Sequence, residues 1–177
     1  MTNTRLPAII VRGFEIMLLK VVGLEPYRAQ SFSFSPSLSE LDLTSENCRF
    51  GEVVAVRGEI TYTGTVYRVT GEIDYERFFA CDRCLKPCCE RARSVFDENF
   101  SSLAEDSAEA THFDGDAIDL SDLVRDTILV SEPLTNLCRE DCLGLCSVCG
   151  HDLNEGDCGC ERKSVDPRLE KLLELKI

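Results

Sequence analysis

The chain is short of bases, of histidine and of long apolar runs. Its 177 residues hold 19 Lys and Arg against 32 Asp and Glu, a formal net charge of -13. A protein that coats nucleic-acid phosphates needs the opposite balance, because each neutralised phosphate takes a Lys or an Arg. A charge of this sign instead attracts a basic partner over long range. There are two histidines, His112 and His151, and neither stands in an H-E-x-x-H arrangement, so the helical zinc-hydrolase signature is missing. No run approaches the ~18 apolar residues of a membrane span. The early stretches Pro7 to Val11 and Ile16 to Val22 are short and broken by Arg12, Glu15 and Lys20. No small-residue cleavage site follows them, so no signal peptide is expected and the expected location is the cytoplasm. Methionine is also scarce: Met1 and Met17 are the two present. Residues 1–16 therefore read as an N-terminal extension, either disordered or preceding a true start at Met17.

What is present suffices for a packed core: 44% of residues are hydrophobic and 29% charged, outside the range of wholesale disorder. From Gln30 to Phe100 the pattern is that of strands. Ser31-Phe32-Ser33-Phe34-Ser35 alternates strictly, as a half-buried strand does. Val54, Val56, Ile60 and Tyr62 fall on even positions, and after Thr63-Gly64-Thr65 the apolar residues Tyr67, Val69, Ile73 and Tyr75 fall on odd ones. That switch across a turn predicts a hairpin, and Arg91 to Phe100 adds another strand. Residues 97–126 carry ten carboxylates and one base, Arg125; Ser101 to Asp116 reads as an exposed acidic loop, open to docking a basic partner. At Asp119 the period becomes helical through Leu120, Leu123, Val124 and Ile128, with Asp119 as N-cap and Pro133 as the stop. Asp166-Pro167 then caps a last helix with Leu169, Leu172, Leu173 and Ile177 on one stripe. The expected fold is α+β: an antiparallel β-sheet body with one or two helices and a C-terminal zinc-binding knuckle module. Its expected division is 1–16 extension, 17–137 body and 138–177 cysteine module with the last helix.

Eleven cysteines carry the chemistry. Close pairs in a reducing compartment point to metal rather than disulfides, and an odd count disfavours a full disulfide framework. The pairs are Cys81-x-x-Cys84, Cys138-x-x-x-Cys142, Cys146-x-x-Cys149 and Cys158-x-Cys160. Two thiolates spaced by two residues reach one tetrahedral ion from a tight turn, and Gly150 after Cys149 suits the positive φ that finishes such a turn. Cys146, Cys149, Cys158 and Cys160 form one four-sulfur set. For the others two partitions are open. Cys81 and Cys84 joined to Cys138 and Cys142 would make a second ion site stapling sheet to tail. Alternatively Cys138 or Cys142 serves the first ion and another cysteine stays free, giving one ion. Four thiolates close the zinc shell and leave no open position for a catalytic water. His151 is a rival ligand or an exposed neighbour; His112 reads as solvated. A reactive Cys81–Cys84 dithiol, activated by Arg83, is the redox alternative, though no thioredoxin-like βαβ pattern surrounds it. Cys48, Cys88 and Cys89 have no assigned role, the latter two lying near the first pair as spare thiols.

The series Cys81-Asp82-Arg83-Cys84-Leu85, then the run from Cys138 through Cys142, Cys146 and Cys149 to Asn154, then Asp166-Pro167-Arg168-Leu169, resembles the bacterial large ribosomal RNA subunit accumulation family, the YceD-type proteins. The likeness runs from about Met17 to Ile177. It implies a non-enzymatic factor supporting accumulation of large-subunit rRNA. Its partner would be a ribosomal protein or a large-subunit assembly intermediate, with rRNA contacted directly or indirectly, and neither a membrane nor a small-molecule substrate is expected. Members are often encoded beside a small basic protein of that subunit. Members without the C-terminal cysteines exist, so zinc would reinforce the fold of this branch, one or two ions being held by Cys81, Cys84, Cys138, Cys142, Cys146, Cys149, Cys158 and Cys160. Arg83 and Arg168 lie in matching motifs without a role. The rival functions are a zinc ribbon gripping rRNA through Arg139, Arg162, Lys163, Arg168 and Lys171, and a thiol or zinc enzyme.

Overall fold

A computed structural model describes residues 9–10, 17–103 and 110–161. Within them the elements are β1 (Ile9–Ile10), β2 (Leu18–Lys20), β3 (Gln30–Phe34), β4 (Arg49–Phe50), β5 (Ala55–Tyr62), β6 (Tyr67–Ala80), β7 (Pro87–Ser101), β8 (Thr111–His112), β9 (Ala117–Asp119) and α1 (Ser121–Val130). The helix stripe expected after Asp166, and the bases Arg162, Lys163, Arg168 and Lys171, lie outside the described residues.

The strands build a seven-stranded sheet in the order β1-β3-β5-β6-β7-β8, with β4 also paired to β6, and a two-stranded sheet of β2 and β9. Pairing is antiparallel between β3 and β5, β4 and β6, and β5 and β6, and parallel between β1 and β3 and between β7 and β8. With one helix among the described residues, this is the expected α+β class.

The alternation read from the sequence decides which face is covered. Phe32 and Phe34 on β3, Val56 and Ile60 on β5, and Val69, Ile73 and Tyr75 on β6 are all buried. The register sets Val56 opposite Ile73, Ile60 opposite Val69 and Gly58 opposite Gly71. That glycine pair has a steric reason. A Cβ on Gly58 would stand 2.6 Å from Phe32 Cζ, and one on Gly71 would stand 2.5 Å from Phe96 Cζ. The two missing side chains thus leave space for two phenyl rings.

The other face of β6 carries crossed ion pairs with β7. Arg93 reaches Asp74 at 2.7 Å and Glu72 at 3.2 Å, and Arg91 reaches Glu76 at 3.2 Å. These groups are substantially solvated, so the pairs add little to stability; their use is to keep a polar face polar. Arg77 is different. It is buried, lies over the Phe79 ring at 4.6 Å and pairs with Glu90 at 2.6 Å.

The acidic segment departs from a plain exposed loop at both ends. Ser101, Ala110 and Phe113 are buried, and Thr111–His112 pair with β7. Phe113 meets Tyr67 edge-on at a centroid distance of 5.6 Å, which gives that end of the segment an apolar anchor. Helix α1 buries Val124 and Ile128, one turn apart on one face. Its N-cap is Leu120, with no side-chain cap, rather than Asp119. The Asp119 carboxylate accepts the Ser121 N–H at 2.8 Å, a local turn that ends β9. The helix stops at Val130, ahead of Pro133, where the Ser131 N–H bonds Thr127 O at 3.1 Å.

By internal contacts the chain forms two units, one of residues 1–79 and 89–134, the other of 80–88 and 135–177. Residues 80–88, which a linear reading keeps inside the body, group with the cysteine-rich tail.

Candidate metal centre

All eight paired cysteines belong to the second unit. Two of its turns repeat one backbone pattern. In the first, the Cys81 N–H donates to Lys86 O at 2.9 Å and the Leu85 N–H to Cys81 O at 2.8 Å. In the second, the Cys146 N–H donates to His151 O at 2.8 Å and the Gly150 N–H to Cys146 O at 2.8 Å. Each turn closes on a residue of positive φ, Leu85 at 58° and Gly150 at 73°. Glycine takes that conformation at no steric cost, whereas leucine is held there by its surroundings. The sequence flags the second turn through Gly150; the first carries no such flag.

This turn aims backbone N–H groups at its first sulfur. Burial would raise the Cys81 thiol, but N–H donors of Cys84, Cys138 and Arg83 outweigh it and lower the group to about 6. Cys146 is lowered to about 6 by the N–H groups of Cys149 and Val148, against burial. Two members of the sets are shifted the other way. Cys138 is raised to about 12 by burial and by hydrogen bonds to Cys142, Cys84 and Cys81. Cys160 is raised to about 12 by hydrogen bonds to Cys149 and Cys158, with burial adding to them. A cation entering either set replaces the thiol protons.

The structure gathers the sulfurs into two groups, Cys81 with Cys84, Cys138 and Cys142, and Cys146 with Cys149, Cys158 and Cys160, every sulfur within 4.8 Å of the others in its group. Cys81 Sγ lies 3.8 Å from Cys142 Sγ, and Cys84 Sγ lies 3.7 Å from Cys138 Sγ. Four sulfurs at the usual zinc–thiolate bond length form a tetrahedron with edges of about 3.8 Å. The first group therefore has the size and donor chemistry of a four-thiolate zinc shell. All eleven cysteines are free thiols. His151 stays outside the second group: it is exposed, and its carbonyl serves the turn. His112 meets Asp114 at 3.2 Å in the other unit. Cys48 is buried, and burial raises its thiol. Cys88 packs beside the first group and Cys89 is exposed.

Around the first group sits polar support that motif reading does not reveal. The Arg83 guanidinium donates to Cys142 O at 2.8 Å and to Glu140 O at 3.4 Å. Its side chain thus holds the 140–142 backbone, while its backbone N–H serves Cys81. Asp82 Oδ2 accepts the Asn136 N–H at 2.7 Å. Lys86 Nζ stands 2.7 Å from Asp152 and 3.1 Å from Glu155; this pairing holds Asp152 down to about 2 and lifts the ammonium.

Gly144 has φ of 75°, and a Cβ there would stand 2.9 Å from Arg83 O. Gly144→Ala is therefore expected to destabilise the second unit by about 1–3 kcal/mol, from left-handed strain and the backbone clash together. Chemical denaturation compared with Gly159→Ala, at φ 71° and with nothing within 4 Å of its Cβ, separates the two: the left-handed strain is shared, so the larger loss at Gly144 reports the contact.

The chain is 32% identical to uncharacterized proteins of Mycobacterium bovis and of two strains of Mycobacterium tuberculosis, over 78% of its own length. It spans 62% of the length of these relatives. No solved structure matches. The family model described as "Large ribosomal RNA subunit accumulation protein YceD" matches residues 69–176, which take in β6 from Val69 onward, both knuckle turns and all eight paired cysteines; the chain belongs to that family.

Proposed function

We propose that the protein is a non-enzymatic factor in biogenesis of the large ribosomal subunit, supporting accumulation of its rRNA. The observation that carries this reading is the family match over residues 69–176. The chemistry of the second unit supports the non-enzymatic part. Two sets of four cysteines, Cys81, Cys84, Cys138 and Cys142 and Cys146, Cys149, Cys158 and Cys160, would each close a zinc shell without an open position, and such sites supply folding energy rather than an activated water. In this reading the eight residues are structural ligands of two zinc ions, and the protein acts in the cytoplasm.

Charge favours a ribosomal protein or an assembly intermediate as the partner, over bare rRNA. The net charge is -13, and Asp114, Asp116, Asp119, Asp122 and Asp126 are exposed. Arg139, one of the bases proposed to grip RNA, is engaged with Asp141 at 3.2 Å and with Asn154 at 2.8 Å. Among the described residues no helix is long and apolar enough to cross a membrane, and the reading requires no membrane partner or small-molecule substrate.

Depletion of the protein in its native cell is the test, read as the ratio of large- to small-subunit rRNA. A selective fall in large-subunit rRNA is the expected result. An unchanged ratio with impaired growth would overturn the assignment.

A further inference from the structure

Asn154 lies in the segment between Cys149 and Cys158, inside the loop that the second cysteine group closes, yet its side chain serves the first group. Its Nδ2 donates to Cys142 Sγ at 3.5 Å and to Asp152 Oδ1 at 2.6 Å. Its Oδ1 accepts the Leu143 N–H at 2.9 Å and the Arg139 guanidinium at 2.8 Å. The orientation of the amide follows from these partners: a backbone N–H and a guanidinium can only donate, so the atom facing them is the oxygen and the atom facing sulfur is the NH2. One side chain therefore fixes both the sulfur of Cys142 and the backbone that follows it. Asn154 is itself placed by an Asp152 turn, its N–H reaching Asp152 Oδ1 at 2.9 Å.

Further links run between the same two loops. The Leu153 N–H donates to Gly144 O at 2.9 Å and the Leu145 N–H to Arg83 O at 3.0 Å. Leu145 and Asp152 form a β-bridge. Lys86, two residues after Cys84, pairs with Asp152 and Glu155. The loop of one group is thus built into the support of the other.

We infer that the two four-cysteine groups bind metal as one coupled pair, with Asn154 as the positioning residue that carries the coupling. This rests on the structural-zinc reading above. Closure of the 146–160 segment around an ion holds Asn154 against Cys142, so the first group is already ordered when its own ion arrives. A sulfur that keeps its N–H donor and its orientation binds metal more tightly, and loss of such an outer partner typically weakens a site by about 10–100-fold. Coupling between binding sites is reciprocal, so an ion in the first group tightens the second by the same factor.

The test is competitive zinc titration of the full chain against a chromophoric chelator, on the unaltered protein, on Asn154→Asp and on Cys158→Ser/Cys160→Ser. Asn154→Asp is nearly isosteric and keeps every cysteine, but puts an oxygen where the sulfur has an N–H donor. The expected result is two ions released in one concerted step from the unaltered chain. Asn154→Asp should split this into two steps, with one affinity reduced about 10–100-fold. The double serine variant should bind a single ion, with affinity reduced by a similar factor relative to the first group of the intact chain. Circular dichroism of the zinc-loaded Asn154→Asp protein checks that it folds. Two ions leaving Asn154→Asp just as they leave the unaltered chain would overturn the coupling and leave the zinc reading standing. An unaltered chain that takes up no zinc would overturn both.

Discussion

On the structural-zinc reading, Cys142→Ser is expected to remove at least one zinc ion per chain and to destabilise residues 80–88 and 135–161. The Cys142 side chain is 2% exposed and its sulfur lies 3.8 Å from that of Cys81. A serine hydroxyl there offers a neutral oxygen where the shell needs a thiolate. It also leaves Cys81, Cys84 and Cys138 with one donor too few to close a four-thiolate shell. In small zinc modules the binding free energy, about 10–16 kcal/mol, is folding free energy, so loss of one ligand in four should cost several kcal/mol. The measurements are metal content of protein purified without chelator and a thermal melt of the same sample. Cys89→Ser is the comparison, since Cys89 is exposed and belongs to neither group; its metal content and melt should be unchanged. Full zinc content with an unchanged melt in Cys142→Ser would remove the first group from the list of metal sites.

The second large effect is expected in the other unit. Ile73 is fully buried on β6, opposite Val56 of β5. Ile73→Ala should cost about 2–5 kcal/mol, from lost transfer energy and the cavity left behind. The cavity closes poorly here, because β6 is an interior strand with partners on both edges and the sheet backbone cannot collapse around it. Urea unfolding with a two-transition fit checks the assignment: Ile73→Ala should move the transition of the sheet unit while zinc content stays the same. The reverse pattern is expected of Cys142→Ser, with metal lost first. Together the two variants ask whether the units melt separately.

The acidic segment and α1 show how far local reading carries. The switch from even to odd apolar positions across Thr63-Gly64-Thr65 places the β5–β6 hairpin, because alternation is a property of each strand alone. Helical spacing likewise finds α1, whose Val124 and Ile128 face inward. The cap assignment failed by one residue: Asp119 serves as a strand-ending turn, and only the pairing of β9 with β2 decides that it belongs to a strand. The burial of Ala110 and Phe113 was likewise invisible in a run of acids, since it depends on β8 finding the far end of β7.

Legible in the order of residues are the hairpin, the helix, the α+β class, the acidic charge and the four close cysteine pairs, including the second group, whose members all fall within residues 146–160. Each of these depends on residue type and short spacing, which a turn or a single strand converts directly into geometry. The partners of Cys81 and Cys84 emerge from long-range folding, because 54 residues separate Cys84 from Cys138, and spacing says nothing about which distant pairs meet. Long-range folding also decided the roles of Arg83, Lys86 and Asn154. Polar side chains of this kind are common at surfaces and bear no periodic mark; their donors acquire meaning when the fold sets a carbonyl, a carboxylate or a sulfur within about 3 Å of them.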